Sequence, residues 1–502
     1  MTDRILPEDA FFPHGIGNSS GVVTVPGMVR LTRPIEVTSG VRLLIRGGEI
    51  SSDLDDHVIV ANGGEIIIDD CKINGSLQAY NSGRIFLTDV HVIAPRFGIF
   101  VDGKGSMAEV TGGSVSGSKV HGILAQNGGH AVVKDVQVKD NQAGGILVDG
   151  EGSRAEVTGG SVSGSKVHGI LAQKGGHAML KDVEVKDNRK SGVAVFDWGS
   201  KAEVTGGSVS GNKFDGISVW NSGRAVVKDV EVRDNQECEV FVDGEGSKAE
   251  VTGGSVSGSK TRHGVCAQDG GYAVVKDVEV KDNRKSGVFV AGKDSKAEVT
   301  GGSVSGSKVH GISAENGGHA VLKDVEVKDN HVRGIFVAGG VDGEGSKVEV
   351  TGGSVSGSIY DGIVAELGGH AVVKDVEVKD NGMSGVAVFD WGSRAEVTGG
   401  SVSGNKFDGI TAEKGGHAVV KDVRVEGNQK SGVWVSGKGS RAEVTGGSVS
   451  GSKAEHGITA LDGGHAVLKD VEVEDNQVHG IFVDGEGSRA EVTGGSVGGS
   501  KT

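Results

Sequence analysis

The chain has 502 residues, of which 90 are glycine and only 5 proline, and a formal charge of −15. The acidic balance argues against nucleic acid as a partner, since phosphate binding needs clustered Lys and Arg. The three cysteines, Cys71, Cys238 and Cys266, give neither a disulfide framework nor a metal-ligand spacing, and no stretch approaches the ~18 apolar residues of a membrane span.

In chain order, Met1 to His14 contains no apolar run long enough for a signal peptide. The expectation is a cytoplasmic protein, or one exported or assembled without a cleaved signal. Residues 1–40 hold four of the five prolines and the pair Phe11-Phe12. They read as an N-terminal cap, because a stack of strands needs an atypical end. Residues 41–107 read as degenerate turns of a pattern that becomes regular over 108–502.

The regular part is written around one phrase, Val-Thr-Gly-Gly-Ser-Val. It starts at Val110, Val157, Val204, Val251, Val299, Val350, Val397, Val444 and Val492. A period near 47 marks a repeat architecture. Each unit splits into similar halves: Ala108, Val110, Val115, Ile123 and Ala125 recur as Ala131, Val133, Val138, Ile146 and Val148. Apolar residues alternate with variable ones inside short segments bounded by Gly, Ser, Asp and Asn, which is the period-2 signature of strands. The fold class is therefore all-β, a single right-handed parallel β-helix solenoid of about 20 coils, each with ~23 residues and three short strands. A column of Ser118, Asn141, Ser165, Asn188, Asn212 and Asn235 falls at the turn after the second strand, where stacked side chains can form a polar ladder. The segment Gly192–Ser200 recurs at Gly385–Ser393, so residues 350–502 read as a copy of 157–309 at an offset of 193.

Over roughly residues 41–502 this pattern resembles the pectin-lyase-like family of right-handed parallel β-helix proteins. That family includes pectate lyases, polygalacturonases, alginate epimerases, phage tailspikes and surface proteins. The resemblance implies the fold, while function must be argued from sites. No catalytic motif of the family is matched residue by residue.

Glu109, Glu156, Glu203, Glu250 and Glu298 form an outward column on alternate coils, which suits a solvated surface better than a unique carboxylate pair. One histidine column is His121, His168, His263, His310 and His456, with Asp215, Asp361 and Asp408 in the same slot; the other is His130, His177, His319, His370, His417 and His465. Zinc needs several ligands around one point, and column members two coils apart do not provide them. These histidines read as turn or surface residues, with no metal and no cofactor. Calcium enters only if the chain is an acidic-polysaccharide lyase.

The irregular positions carry more information. The slot after the invariant Ile or Val of the third strand includes Phe100, Leu124, Leu147, Leu171, Phe241, Phe289, Phe336, Trp434 and Phe482, an outward apolar stripe that marks a covered or binding face. Two positions on, Phe196 and Trp220 are expected to stack beside Asp197 and Trp198, and the copied block offers Phe389, Asp390 and Trp391 but Glu413 in place of Trp220. Such aromatics suit stacking on sugar rings, anchoring a protein partner, or shielding the turns. The ligand-binding candidates are Phe196, Asp197, Trp198, Trp220, Phe389, Trp391 and Trp434. An unrepeated acidic cluster, Asp53, Asp55, Asp56, Asp69 and Asp70 with His57 and Cys71, is the place for a hidden catalytic site or simply for turn residues.

The reading is a non-enzymatic β-helical rod that binds a polysaccharide or a partner protein through its third-strand face, with a homo-oligomer through the apolar stripe as a further option. The alternative is a lyase, hydrolase or epimerase acting on an acidic polysaccharide with its acids in residues 53–70. A structural spacer or secreted effector is a third reading, for which no motif speaks.

Overall fold

The computed structural model describes residues 21–52, 57–340 and 345–500. They contain sixty-two strands and no helix. The chain separates into two compact units, one of residues up to Phe241 with Gly246–Glu250, the other of Val242–Glu245 with the residues from Val251 onward. Each unit is a stack of coils in which three short strands feed three parallel sheets, every strand pairing with its counterpart one coil away. Within the stretch 1–40, Gly21–Thr24, Met28–Leu31 and Ile35–Thr38 already form one such coil and pair with the next.

The register follows the alternation in the sequence. In the first unit Ala108, Val115, Ile123 and Ala125 are fully buried, as are Ala131, Val138, Ile146 and Val148 one coil on. Their neighbours point outward, because successive strand side chains face opposite sides. A chain with so thin a core gains stability by stacking like on like.

Polar ladders close the corners. At the turn after the second strand, the backbone N–H of Asn188 and that of Asn212 donate to the Oδ1 of Asn212 and Asn235 at 3.1 and 3.0 Å. The side-chain amides repeat the step, Asn188 to Asn212 at 3.0 Å and Asn212 to Asn235 at 2.8 Å. The second unit has the same arrangement at Asn381, Asn405 and Asn428. A buried amide costs free energy unless paired, and here each amide pairs with the coil above. The sequence reading did not anticipate a second ladder at the third turn, where buried Ser153, Ser200, Ser393 and Ser440 accept N–H bonds from Gly128, Gly175, Gly368 and Gly415 at 2.9–3.0 Å.

The first turn needs left-handed backbone, and it is met alternately by Asp and Gly. Asp135 has φ +54° and Gly159, one coil on, φ +62°. The alternation has a steric reason: a Cβ on Gly159 would lie 2.1 Å from the Asp135 carboxylate oxygen. Asp tolerates this backbone region and Gly makes room for it. One position breaks a different rule. Glu239 replaces the glycine that precedes the third strand in other coils, is fully buried, and its carboxylate accepts the Asn235 N–H at 3.1 Å.

Ile217 is fully buried in the inward column of the third sheet. Ile217→Asp places an unpaired carboxylate there and is expected to destabilise the first unit by several kcal/mol, read as a lower thermal unfolding midpoint. An unchanged midpoint would refute the register.

Candidate functional site

The third-strand outward stripe is largely roofed. Leu124, Leu147, Phe241, Phe336 and Val364 are buried, while Phe100, Leu171, Phe289, Trp434 and Phe482 keep partial exposure. The roof comes from the first histidine column, one coil earlier. His263 stacks on Phe289 with ring centroids 4.2 Å apart, His310 on Phe336 at 4.5 Å and His456 on Phe482 at 4.4 Å. Arg333 adds its guanidinium over Phe336 at 4.8 Å.

The same column explains why His and Asp interchange. His121 Nδ1 accepts the Gly144 N–H at 3.0 Å and His263 Nδ1 accepts that of Ser286 at 3.1 Å. Asp215, Asp361 and Asp408 present Oδ1 to the N–H of Cys238, Ser384 and Ser431 at 3.0, 3.0 and 2.9 Å. At His121 and His263, as at the three aspartates, the side chain supplies an acceptor for the turn of the next coil. Burial holds His168 down to about 4, and His263 and His310 to about 3, so all three stand neutral at neutral pH. Burial, with Glu455 adding its charge, pushes Asp408 up to about 7.

The second histidine column bonds to the outward glutamates. His130, His177 and His319 reach Glu156, Glu203 and Glu349 at 3.0–3.2 Å. Each of these glutamates also takes the Arg or Lys two residues before it on its own strand. The glutamate column is therefore an ion-pair surface. Among the described residues no three His, Cys, Asp or Glu side chains converge as a metal site.

The early acidic cluster is only partly in view. Asp53, Asp55 and Asp56 lie outside the described residues. Asp69 is bonded to Arg46 at 3.2 Å, and Asp70 holds a left-handed turn at φ +49°. The neighbouring Cys71 is buried, which pushes its thiol up to about 12. His57 lies on Phe100 at 5.7 Å.

In the first unit the roof opens at the aromatic positions. Phe196 and Trp220 are register partners on adjacent third strands, and their rings stack at 6.3 Å with planes 14° apart. Trp220 leans on buried Phe241 at 4.9 Å, and His168 meets Phe196 edge-on at 5.7 Å. Together with Lys190, Ser191 and Phe214 they line a cleft of about 250 Å³. Its floor is fixed by the Ser218 hydroxyl, which donates to Ser191 at 2.9 Å. Elsewhere the Phe196 slot holds polar pairs such as Gln126 with Asp102 and Gln173 with Asp149. Asp197 turns the chain with φ +71°, and Trp198 stands 84% exposed outside the cleft.

The copied block in the second unit keeps the frame but not the aromatic pair. At the offset of 193, His168, Lys190 and Trp220 become Asp361, Met383 and Glu413. Phe389 instead packs against the cluster of Phe336, Ala338, Val364 and Ala387. Trp391 lies flat on Gly415 and Gly439, where any Cβ would meet the indole at 2.6 and 1.9 Å. Ser222 stands at the position equivalent to Gly415, so Trp198 has no such seat, and Trp391 is correspondingly less exposed at 69%. Trp434 sits in the roofed slot with its indole nitrogen buried.

Sequence reasoning missed one carboxylate pair. Asp408 accepts the Ser431 N–H, and the Ser431 hydroxyl donates to Glu455 at 3.3 Å, so one serine bridges two acids two coils apart. The signal was the expansion at Ala454-Glu455, which puts a glutamate at the end of the widened turn.

The model of the right-handed β-helix region matches residues 75–236, 238–399 and 339–497. The chain belongs to the right-handed β-helix family. Among solved structures, the periplasmic alginate epimerase AlgG is 12% identical with a TM-score of 0.31, covering 68% of this chain and 81% of that one. The A-module of the Azotobacter vinelandii mannuronan C-5 epimerase AlgE6 is 10% identical with a TM-score of 0.19, covering 97% and 93%. No curated protein matches the chain in sequence.

The buried groups set the pH response of this β-helix. The histidines take up protons near 6.5 when unfolded but only near 3–4 when folded, so stability falls as pH drops below 6.5. Asp408 acts in the opposite sense: its ionised form is penalised in the fold, so its cost is full above about 7 and fades as pH falls towards 3.8. His263→Asn, which keeps an acceptor, is expected to reduce the acid-side loss. Asp408→Asn is expected to raise the melting temperature above pH 7 and to match wild type near pH 4. Melting curves from pH 4 to 8 check both.

Proposed function

We propose that this β-helix is a non-enzymatic binding rod whose aromatic cleft takes a sugar ring of a glycan. The observation that carries the reading is the stacked, near-parallel pair Phe196 and Trp220 on adjacent coils, partly exposed in a cleft of a face that is largely roofed. Two aromatic planes held by backbone pairing form a rigid apolar platform, and little side-chain entropy is lost when a ring stacks on it. Exposed Lys190 adds a polar, charged group to the lining, where a sugar presents its hydroxyls. Phe214, 43% exposed, adds a third aromatic ring to the lining.

A second reading, a polysaccharide-modifying enzyme, draws on Asp408 and Glu455 rather than on residues 53–70. An acid pushed up to about 7 and a second carboxylate, linked through one serine, are a pair in which one group can give a proton and the other receive one. It requires turnover of a polysaccharide that Asp408→Asn abolishes.

Glycan-array binding separates the readings. Wild type is expected to bind at least one glycan, and Phe196→Ala/Trp220→Ala to lose it by roughly tenfold or more, since each stacked aromatic contributes about 0.5–1.5 kcal/mol beyond burial. Binding that survives the double variant would dismiss the cleft, and binding by neither protein would move the role to a protein partner.

A further inference from the structure

A different face of the first unit is open and apolar. On the first sheet the outward slot of four consecutive coils holds Val22, Leu44, Ile67 and Phe86, all register partners. From Glu109 onward the same slot alternates glutamate with Val or Met, so successive apolar residues occur only here. Val22 is 67% exposed and the other three are half-buried. A groove of about 390 Å³ lined by Val22, Arg42, Leu44 and Ile67 runs along this stretch, and a second of about 490 Å³ at the strand starts shares Arg42 with it.

The charges at the two ends of these strands follow one order. At the strand starts Arg42 is followed one coil on by Glu65, 2.7 Å away. At the strand ends Arg46 is followed by Asp69, 3.2 Å away. Positive then negative, on both rims and on the same two coils, is a pattern that complements itself when the coil order is reversed.

We propose that this face is a homodimer interface. A two-fold axis parallel to the strands, passing between the coils of Leu44 and Ile67, turns one copy face to face with another, reverses coil order and keeps like strand ends together. It sets Leu44 on Ile67 of the partner subunit and Val22 on Phe86 of the partner subunit, a small side chain against a ring. It also sets Arg42 opposite Glu65 of the partner subunit and Arg46 opposite Asp69 of the partner subunit. Every contact occurs twice, as an isologous interface requires. An apolar centre with a charged rim is the usual anatomy of such a contact. Four strands about 4.8 Å apart make a patch smaller than the ~800 Å² per partner of standard interfaces, so the dimer is weak and reversible.

Sedimentation equilibrium of the full chain over a wide concentration range tests this. Wild type is expected to show a reversible monomer–dimer equilibrium, and Leu44→Asp and Ile67→Asp to be monomeric. Arg42→Glu places like charges together twice and is expected to weaken association about tenfold, while Arg42→Glu/Glu65→Arg restores it. Melting curves of each variant confirm that the fold is kept. A wild type that stays monomeric, a dimer that survives Leu44→Asp, or a charge-swap variant that fails to recover would each overturn the proposal.

Discussion

Backbone pairing between consecutive coils is the interaction on which everything else rests. Each strand is satisfied only if the next coil returns to the same azimuth, and that holds the coil near 23 residues. The corners bear the strain of this return. They are closed by left-handed Asp and Gly at the first turn, by the Asn ladder at the second and by the Ser ladder at the third. The expansions at Thr261-Arg262 and Ala454-Glu455 fall in turns, because one extra residue inside a strand would send its inward column to the solvent.

Repetition also explains where function can reside. A feature present in every repeat, such as the glutamate column with its His, Arg and Lys partners, belongs to the ion-paired outer surface of the stack. A site has to come from a departure. The aromatic pair at Phe196 and Trp220 is such a departure, and its counterpart in the copied block shows how few changes remove it: Trp220 becomes Glu413, and Phe389 joins a hydrophobic cluster. The same logic marks Val22, Leu44, Ile67 and Phe86 among the degenerate coils, where ion pairing gives way to an apolar face.

The roof over the third sheet joins architecture to chemistry. A carboxylate in the turn slot accepts a backbone N–H from the next coil, His263 there does so and also covers an aromatic ring, and His310 covers a ring. Two tasks in one slot explain both the His/Asp interchange and the large displacement of these groups from their ordinary titration range. The stability of the β-helix is therefore tied to pH through these buried turn residues.

The sequence by itself determined the fold class, the coil length, the inward columns and the stacking of Phe196 on Trp220, because all of them follow from periodicity, and register partners are set by counting. The Asn ladder was legible for the same reason. Tertiary structure alone decided which outward residues meet solvent. Whether Phe336 is a binding surface or a buried ring depends on His310 and Arg333 folding across it, and whether Trp198 lies flat depends on Ser222 one coil away. Likewise, Asp408 and Glu455 are brought to one serine only by the widened turn. Period fixes which coil a side chain occupies. The reach and direction of its neighbours fix whether anything else can touch it.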